Sequence, residues 1–382
     1  MADPHPPSPQ PRSTDGRNLD PALGDQHGDG RNIDRTLGDE HGEAAAVIVR
    51  DPDDAWPLAH GADAVEPTID RPPLDTYYDL PVIKAAPWKW YIPAYFYLSG
   101  LAGAAASLAG ALELAAPDRI LGSRLRSISA LGDAAGAALL IADLGRPARF
   151  HHMLRVFRPT SPMNAGTWIL SSAGATSMLS IAWAWRRRKP PVLLGIAGLV
   201  SGTLLSTYTG VLLGNTAVPL WSATRRRLPI WFAASSAASL SALLELAGPE
   251  RPVVHFYSAV AKAAQLAASH AVERAARTEA SGGPGGPGSP APTEGVDAPL
   301  HRGRSGSLWR GATWLGIASL AATVLPGTRR RRWIAGALGT AAALLGRFAI
   351  IEAGRASAAD PRATFGPQRN RRLEGAPAQR RG

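Results

Sequence analysis

The chain has 382 residues, a formal net charge of +11 and no cysteine. Without cysteine it holds no disulfide, thiolate zinc, iron–sulfur ligation or covalent haem attachment, so any redox chemistry rides on a bound small molecule or on another subunit. Residues 1–80 carry 17 acids against 6 bases, which leaves +22 on the remainder.

The acidic start, "MADPHPPSPQPRS", shows no charged-then-apolar leader, so the first apolar stretch would act as its own insertion signal. Residues 15–28, "DGRNLDPALGDQHG", are followed at once by "DGRNIDRTLGDEHG", identical at ten of fourteen positions. Low hydrophobicity with many Pro, Gly and Asp predicts a disordered tail with a recent duplication. A metal-binding repeat and a duplicated docking peptide stay open, although the spacing does not fit a calcium loop.

From Trp88 the texture changes. Eight apolar segments approach spanning length, about 20 residues each. They cover roughly 90–115, 127–143, 165–185, 191–214, 229–247, 253–275, 308–326 and 333–353. Arginine clusters such as "RRRKP", "SATRRRLP" and "GTRRRR" separate them, as membrane-edge anchors do. That setting favours anionic lipid headgroups over nucleic acid as the partner of the basic charge. Trp88, Trp90, Trp168, Trp183, Trp185, Trp221, Trp231, Trp309 and Trp333 fall near segment ends, as an interfacial belt would. The expected class is an all-α membrane protein with eight transmembrane helices. Residues 1–80 form the tail, 81–276 carry helices one to six, 277–307 a Gly/Pro-rich linker, 308–354 the last two helices, and 355–382 a basic tail. The basic residues nearly balance between alternate loops, so orientation stays undetermined.

Pairs such as Gly132/Gly136 and Gly210/Gly214 place small residues one turn apart for close helix packing. Ionisable residues inside spans are costly and mark a site, a pathway or a buried pair. In the sixth segment His255, Ser258, Lys262, Gln265, Ser269 and Glu273 share one arc of roughly 80° at 100° per residue. That stripe predicts either a satisfied inter-helix network or a proton or ion path, with Lys262 near mid-depth. Arg347 and Glu352 sit about 140° apart on their helix and need separate partners. Asp133 lies inside its span and needs a partner, whereas Glu113 and Glu245 are expected near an interface, solvated. His255 and His270 lie at opposite ends of one helix, which speaks against a haem. The fourth segment is rich in hydroxyls. These bond back to their own helix or line a polar cavity, where Tyr208 and Asn215 would reach a ligand carbonyl.

The most unusual stretch joins the second and third segments: "ADLGRPARFHHMLRVFRPTSPMNAGTW", residues 142–168. It sets Asp143, Arg146, Arg149, Arg155, Arg158, His151 and His152 between apolar runs. A carboxylate and arginines at a membrane edge suit proton delivery to a quinone carbonyl. They also suit a plain interfacial salt bridge.

This loop, with D-L-G-R-P-x-R-F followed by F-x-P-x-S-P-M-x-x-G-x-W, resembles that of the NrfD-type membrane subunits, the polysulfide-reductase membrane-subunit family. "WKWYIPAYFYLSGLAGAAASLAG", "YTGVLLGNTAVPLW" and "RFAIIEAGRASAADPRATFGPQ" are similar to members too, so the resemblance covers roughly 75–368. It implies eight transmembrane helices in two four-helix bundles, free of haem and iron–sulfur clusters, in a bacterial cell membrane. It implies a quinone as the electron and proton partner, menaquinone favoured by the GC-rich residue usage. It also implies an iron–sulfur, ferredoxin-like subunit and a molybdopterin catalytic subunit, as in formate dehydrogenase or polysulfide reductase. The chain would not hold the catalytic centre itself. Asp143, Arg146 and Arg149 lie in the loop motif, and Tyr208, Asn215 and Arg347 are carried over by segment. The stripe with His255, Lys262, Gln265 and Glu273, joined by Arg347, is the candidate proton path. A polytopic transporter or proton conductor and a purely structural anchor remain alternatives.

Overall fold

In lipid every backbone amide must be satisfied within its own segment, so long apolar runs fold as helices. The computed structural model describes residues 81–144, 146, 152–186, 191–247, 250–280, 296–325, 328–361 and 363–364. The tandem repeat, Arg149, His151 and the middle of the linker lie outside them. In chain order the helices are α1 Tyr91–Ala115, α2 Arg119–Leu144, α3 Pro162–Trp185, α4 Val192–Gly214, α5 Pro219–Ala223, α6 Leu228–Ala247, α7 Pro252–Ala280, α8 Ala298–His301, α9 Gly303–Val324 and α10 Arg329–Ala359. Among the described residues there is no strand.

Two of these are short, and the other eight are between 20 and 31 residues long. Five of them, α1, α2, α4, α6 and α10, are long and apolar enough to cross a membrane. Polar residues set the others apart: α3 is rich in Ser and Thr, α7 carries the stripe, and α9 opens on "GRSGSLWR". Large apolar side chains face outward, among them Leu193 at 74% and Leu131 at 71% exposure, while Ser, Thr and charged groups are buried. That inversion suits a protein whose surroundings are hydrocarbon.

Consecutive long helices run in alternate directions. α1 packs on α2 and α4, α3 lies between α2 and α4, and α6, α7, α9 and α10 pack in the same cyclic order. α1 and α4 meet α6, and α1 also meets α10. Small residues set the closest approaches. A Cβ on Gly103 would lie 2.6 Å from the Gly202 carbonyl of α4, and one on Gly136 would lie 2.6 Å from Ser99 Oγ of α1.

Helix ends depart from the hydropathy reading where charge had trimmed it. α2 begins at Arg119 rather than 127, because Arg119, Arg124 and Arg126 fit on a helix and reach outward or find partners. The expected linker, 277–307, is helical at both ends: α7 runs to Ala280, and α8 and α9 occupy 298–301 and 303 onward. Ser305 Oγ ties these short turns by donating to the Pro299 carbonyl at 2.6 Å. α10 continues to Ala359, past the expected end at 354.

The tryptophan belt holds only in part. Trp90, Trp185 and Trp333 are exposed, but Trp221, Trp231 and Trp309 are core residues. Each has an acceptor for its indole N–H: the Ile350 carbonyl, Ser269 Oγ and the partly buried Glu273 Oε1, at 2.9, 2.9 and 2.7 Å. An indole with its N–H satisfied is a large apolar side chain suited to the interior.

Candidate functional site

Functional side chains gather at the two ends of the helix array. One end, the loop end, collects the start of α1, the end of α2, the start of α3, the end of α4 and the end of α10. Asp143 is half-buried in the last turn of α2, and Arg146 is exposed just beyond it. His152, Arg155 and Arg158 are exposed on the return towards α3.

Asn164, in the first turn of α3, organises this return. Its Nδ2 donates to the Met153 and Val156 carbonyls at 2.7 and 2.9 Å, and its Oδ1 accepts from the Arg158 N–H at 2.6 Å. Ser161 caps the helix by accepting from the Asn164 N–H, and Pro162 follows at a position that needs no amide hydrogen. The loop presents an exposed aromatic pair, Phe157 edge-on to Trp168 with 6.0 Å between ring centroids. Sequence reasoning passed over Asn164. The signal was there: an Asn between a Ser-Pro cap and a helix, where a short amide can gather loop carbonyls.

Tyr208 and Asn215 share this end, but their donors are engaged. The Tyr208 hydroxyl donates to the Pro162 carbonyl at 2.7 Å, and its ring lies directly on Gly166. Asn215 Nδ2 donates to the Val211 carbonyl of its own helix at 2.8 Å. Three other hydroxyls of α4 bond back along the helix, Ser201, Thr203 and Ser206 donating to Ala197, Leu199 and Gly202 at 2.7–2.8 Å, whereas the buried Thr209 hydroxyl has no hydrogen-bond partner among the described residues. Tyr208 thus fastens the α3 entry to α4.

The opposite end holds a buried ionic cluster. Lys262 Nζ donates to Glu245 Oε2 at 2.5 Å and to Thr323 Oγ1 at 2.7 Å. Thr323 in turn donates to Glu245 Oε1 at 2.8 Å, and Ser319 donates to the Ala335 carbonyl at 2.7 Å. The expectation of a solvated Glu245 is therefore corrected: its side chain is 3% exposed. The reason is the cation of α7, which compensates a carboxylate that could not be buried alone. Lys262 lies toward this end rather than at mid-depth. A cavity of about 560 Å³ opens here, lined by Glu245, Thr323, His255, Arg251, Arg329 and Arg332 among others.

From this cluster the α7 stripe runs inward. Ser258, Lys262, Gln265 and Ser269 are buried against neighbouring helices, while His255 is exposed at the cavity. Trp231 Nε1 meets Ser269, and Trp309 Nε1 meets Glu273, which reaches the loop end. Arg347 is wholly buried in α10, its guanidinium 5.3 Å from the ring centroid of Trp231, whose Nε1 meets Ser269 of the stripe. The guanidinium donates to Ser236 Oγ and the Phe232 carbonyl at 3.0 and 3.2 Å, and it lies 4.3 Å from the Phe232 ring centroid. Its Nε and Nη1 have no hydrogen-bond partner among the described residues. Glu352 pairs with Arg355 at 2.9 Å.

In the first four long helices, Asp133 is 3% exposed and accepts from Ser177 Oγ at 2.7 Å, with Ser129 Oγ 2.7 Å from Ser177 Oγ. Glu113 pairs with Arg126. No group of three His, Asp or Glu side chains among the described residues converges as a metal site.

None of the curated proteins matches the chain. Residues 74–360 match the family model NrfD_2, described as polysulfide reductase, across all of α1 to α10. With its apolar helices, its inward-facing polar groups and a family match over most of its length, the chain belongs to the NrfD-type polysulfide reductase family, a multi-pass membrane subunit of a redox complex.

Proposed function

We propose that this chain is the quinone-reacting membrane subunit of a molybdopterin and iron–sulfur oxidoreductase in a bacterial cell membrane. In this reading all eight long helices span the bilayer as two four-helix bundles, α1–α4 and α6–α10. The chain anchors a ferredoxin-like iron–sulfur subunit and, through it, a formate dehydrogenase- or polysulfide reductase-like catalytic subunit.

The observation that carries the reading is the loop end. A half-buried acid, Asp143, stands three residues before the exposed Arg146, and an uncovered aromatic pair joins Phe157 of the same loop to Trp168 in the second turn of α3. An aromatic ring with two carbonyls fits that donor set: an acid for proton exchange, guanidinium donors for a carbonyl, and ring faces for stacking. Menaquinone, the favoured partner, supplies two-electron, two-proton chemistry when bound. Asp143 holds and releases a proton at its carboxyl oxygen, and Arg146 and Arg149 stabilise the charged carboxylate. Asn164 keeps the loop in shape. Tyr208 and Asn215 position the floor, and either would have to release its present acceptor to donate to a ligand. The stripe from His255 through Lys262, Gln265 and Glu273, with Arg347 beside it, serves as the proton path.

The test is purification of tagged protein from native membranes, with quinone-analogue turnover measured on co-purifying partners. Co-purified iron–sulfur protein with turnover lost in Asp143→Asn supports the reading. Turnover unchanged in Asp143→Asn removes Asp143 from it. The buried Lys262 cluster under an open cavity favours a second reading, a proton or ion conductor, which predicts ion flux in liposomes with no redox partner. A stable complex lacking quinone turnover would leave a structural anchor.

A further inference from the structure

The two halves of the chain carry one stretch twice. "AASLAGALELAAPDR" at 105–119 and "AASLSALLELAGPER" at 237–251 agree at ten of fifteen positions. The first closes α1 and reaches the first residue of α2, and the second closes α6 and ends at Arg251, one residue before α7. α1 and α6 lie side by side and run the same way. Phe96 meets Phe232 edge-on at 5.7 Å, and one turn later a Cβ on Gly100 would strike Ser236. The matched ends touch: Arg251 pairs with Asp118 at 3.4 Å, and Arg124 donates to the Ala247 carbonyl at 2.7 Å. Both copies therefore sit at the end opposite the 143–158 loop, separated from it by the length of α2, roughly 39 Å at 1.5 Å per residue.

The repeated small and aliphatic residues are explained by packing. The repeated carboxylate is not, because an acid inside a span is costly and a packing position would be apolar. Glu113 and Glu245 are equivalent in the two copies, and each pairs with a cation of the following helix, Arg126 or Lys262. The cations are not equivalent, since Arg126 follows its glutamate by thirteen residues and Lys262 by seventeen. The glutamate is held constant while its partner differs. Each glutamate also lines a cavity. Glu113 shares about 20 Å³ with Arg126, Ser129, Thr176, Ser177 and Ser180, room for about one water. Glu245 lies in the cavity of about 560 Å³. Behind each stands a buried polar group: Ser129, Ser177 and Asp133 in the first copy, Thr323 and Lys262 in the second.

We propose that Glu113 and Glu245 are a duplicated pair of proton-accepting carboxylates, each exchanging a proton between its cavity and the polar groups behind it. In each step a carboxylate oxygen gains one proton from water, and the same oxygen later loses one proton inward. No electron moves, and the paired cation stays in place to restore the carboxylate. The groups facing Glu113 are Arg126 and the hydroxyls across its cavity. Those facing Glu245 are Lys262, Thr323, Glu250, Arg251, His255, Arg329, Arg331 and Arg332. The inference rests on the proposed function only for its purpose, since protons taken up at this end would feed reduction at the loop.

The test uses the full chain in native membranes treated with dicyclohexylcarbodiimide, an apolar reagent that couples to protonated carboxyls, with adducts located by peptide mass spectrometry. The expected result is adducts on both Glu113 and Glu245 in the unaltered protein. Arg126→Gln should speed labelling at Glu113 about tenfold, the effect of a one-unit rise in proton affinity, and leave Glu245 unchanged. Lys262→Gln should do the converse. Labelling of only one glutamate, or of neither, overturns the proposal, and the unaltered protein decides this even if a variant fails to fold. Because the readout needs no quinone, absent adducts with intact quinone turnover would remove this inference alone. Adducts without quinone turnover would remove the proposed function alone.

Discussion

Lys262 Nζ lies 2.5 Å from Glu245 Oε2 across the α6–α7 interface, with each side chain 3% exposed. Removing one member leaves a buried charge without compensation, which costs about 3–5 kcal/mol. Lys262→Met should therefore lower the thermal midpoint in detergent sharply. Glu245→Leu combined with Lys262→Met should recover much of the loss, with a coupling energy of about 1–3 kcal/mol in the double-mutant cycle. Additive losses would show that the pair is not coupled.

Asn164→Ala removes three hydrogen bonds that shape residues 153–158. Each is worth about 0.5–1.5 kcal/mol net, and two involve exposed backbone, so the global midpoint should fall only modestly. Limited proteolysis within 153–158 should accelerate, and quinone-linked turnover should drop along with it. Unchanged cleavage there would mean that other contacts hold the loop.

Gly166 lies under the Tyr208 ring with no room for a Cβ. Gly166→Ala should destabilise the protein by about 1–3 kcal/mol through overpacking. Tyr208→Ala in that background should relieve the clash, although it forfeits the bond to Pro162. A melting point for the double variant below that of Gly166→Ala would place the strain elsewhere.

Arg347 is buried, with no acidic partner among the described residues, and is held by Ser236, the Phe232 carbonyl and two aromatic faces. Buried ionic groups replaced by well-packed apolar ones are often neutral or stabilising. Arg347→Met should therefore keep or raise the thermal midpoint while lowering quinone-linked turnover. Loss of folding would show that the guanidinium holds α10 on α6. Intact turnover would take it out of the proton path.

Asp143→Asn keeps the shape of the α2 terminus and removes an exchangeable proton. Partner co-purification should persist while turnover falls about 10²-fold or more, the usual worth of a positioned acid. An equal loss of assembly would recast Asp143 as a docking residue.

Composition and periodicity alone determined the helical class, the position of most long helices and the inward arc of α7, because lipid leaves a chain few ways to satisfy its backbone. The loop motif was equally plain, since charge and proline between apolar runs need a reason. Three things waited for tertiary structure. The burial of Glu245 depends on a cation from the next helix, which no local pattern reports. The fate of Tyr208 depends on Gly166, forty-two residues away in sequence. The core positions of Trp221, Trp231 and Trp309 depend on acceptors supplied by Ile350, Ser269 and Glu273. In each case the sequence states what a side chain needs, and only the packing of distant helices decides which partner meets it.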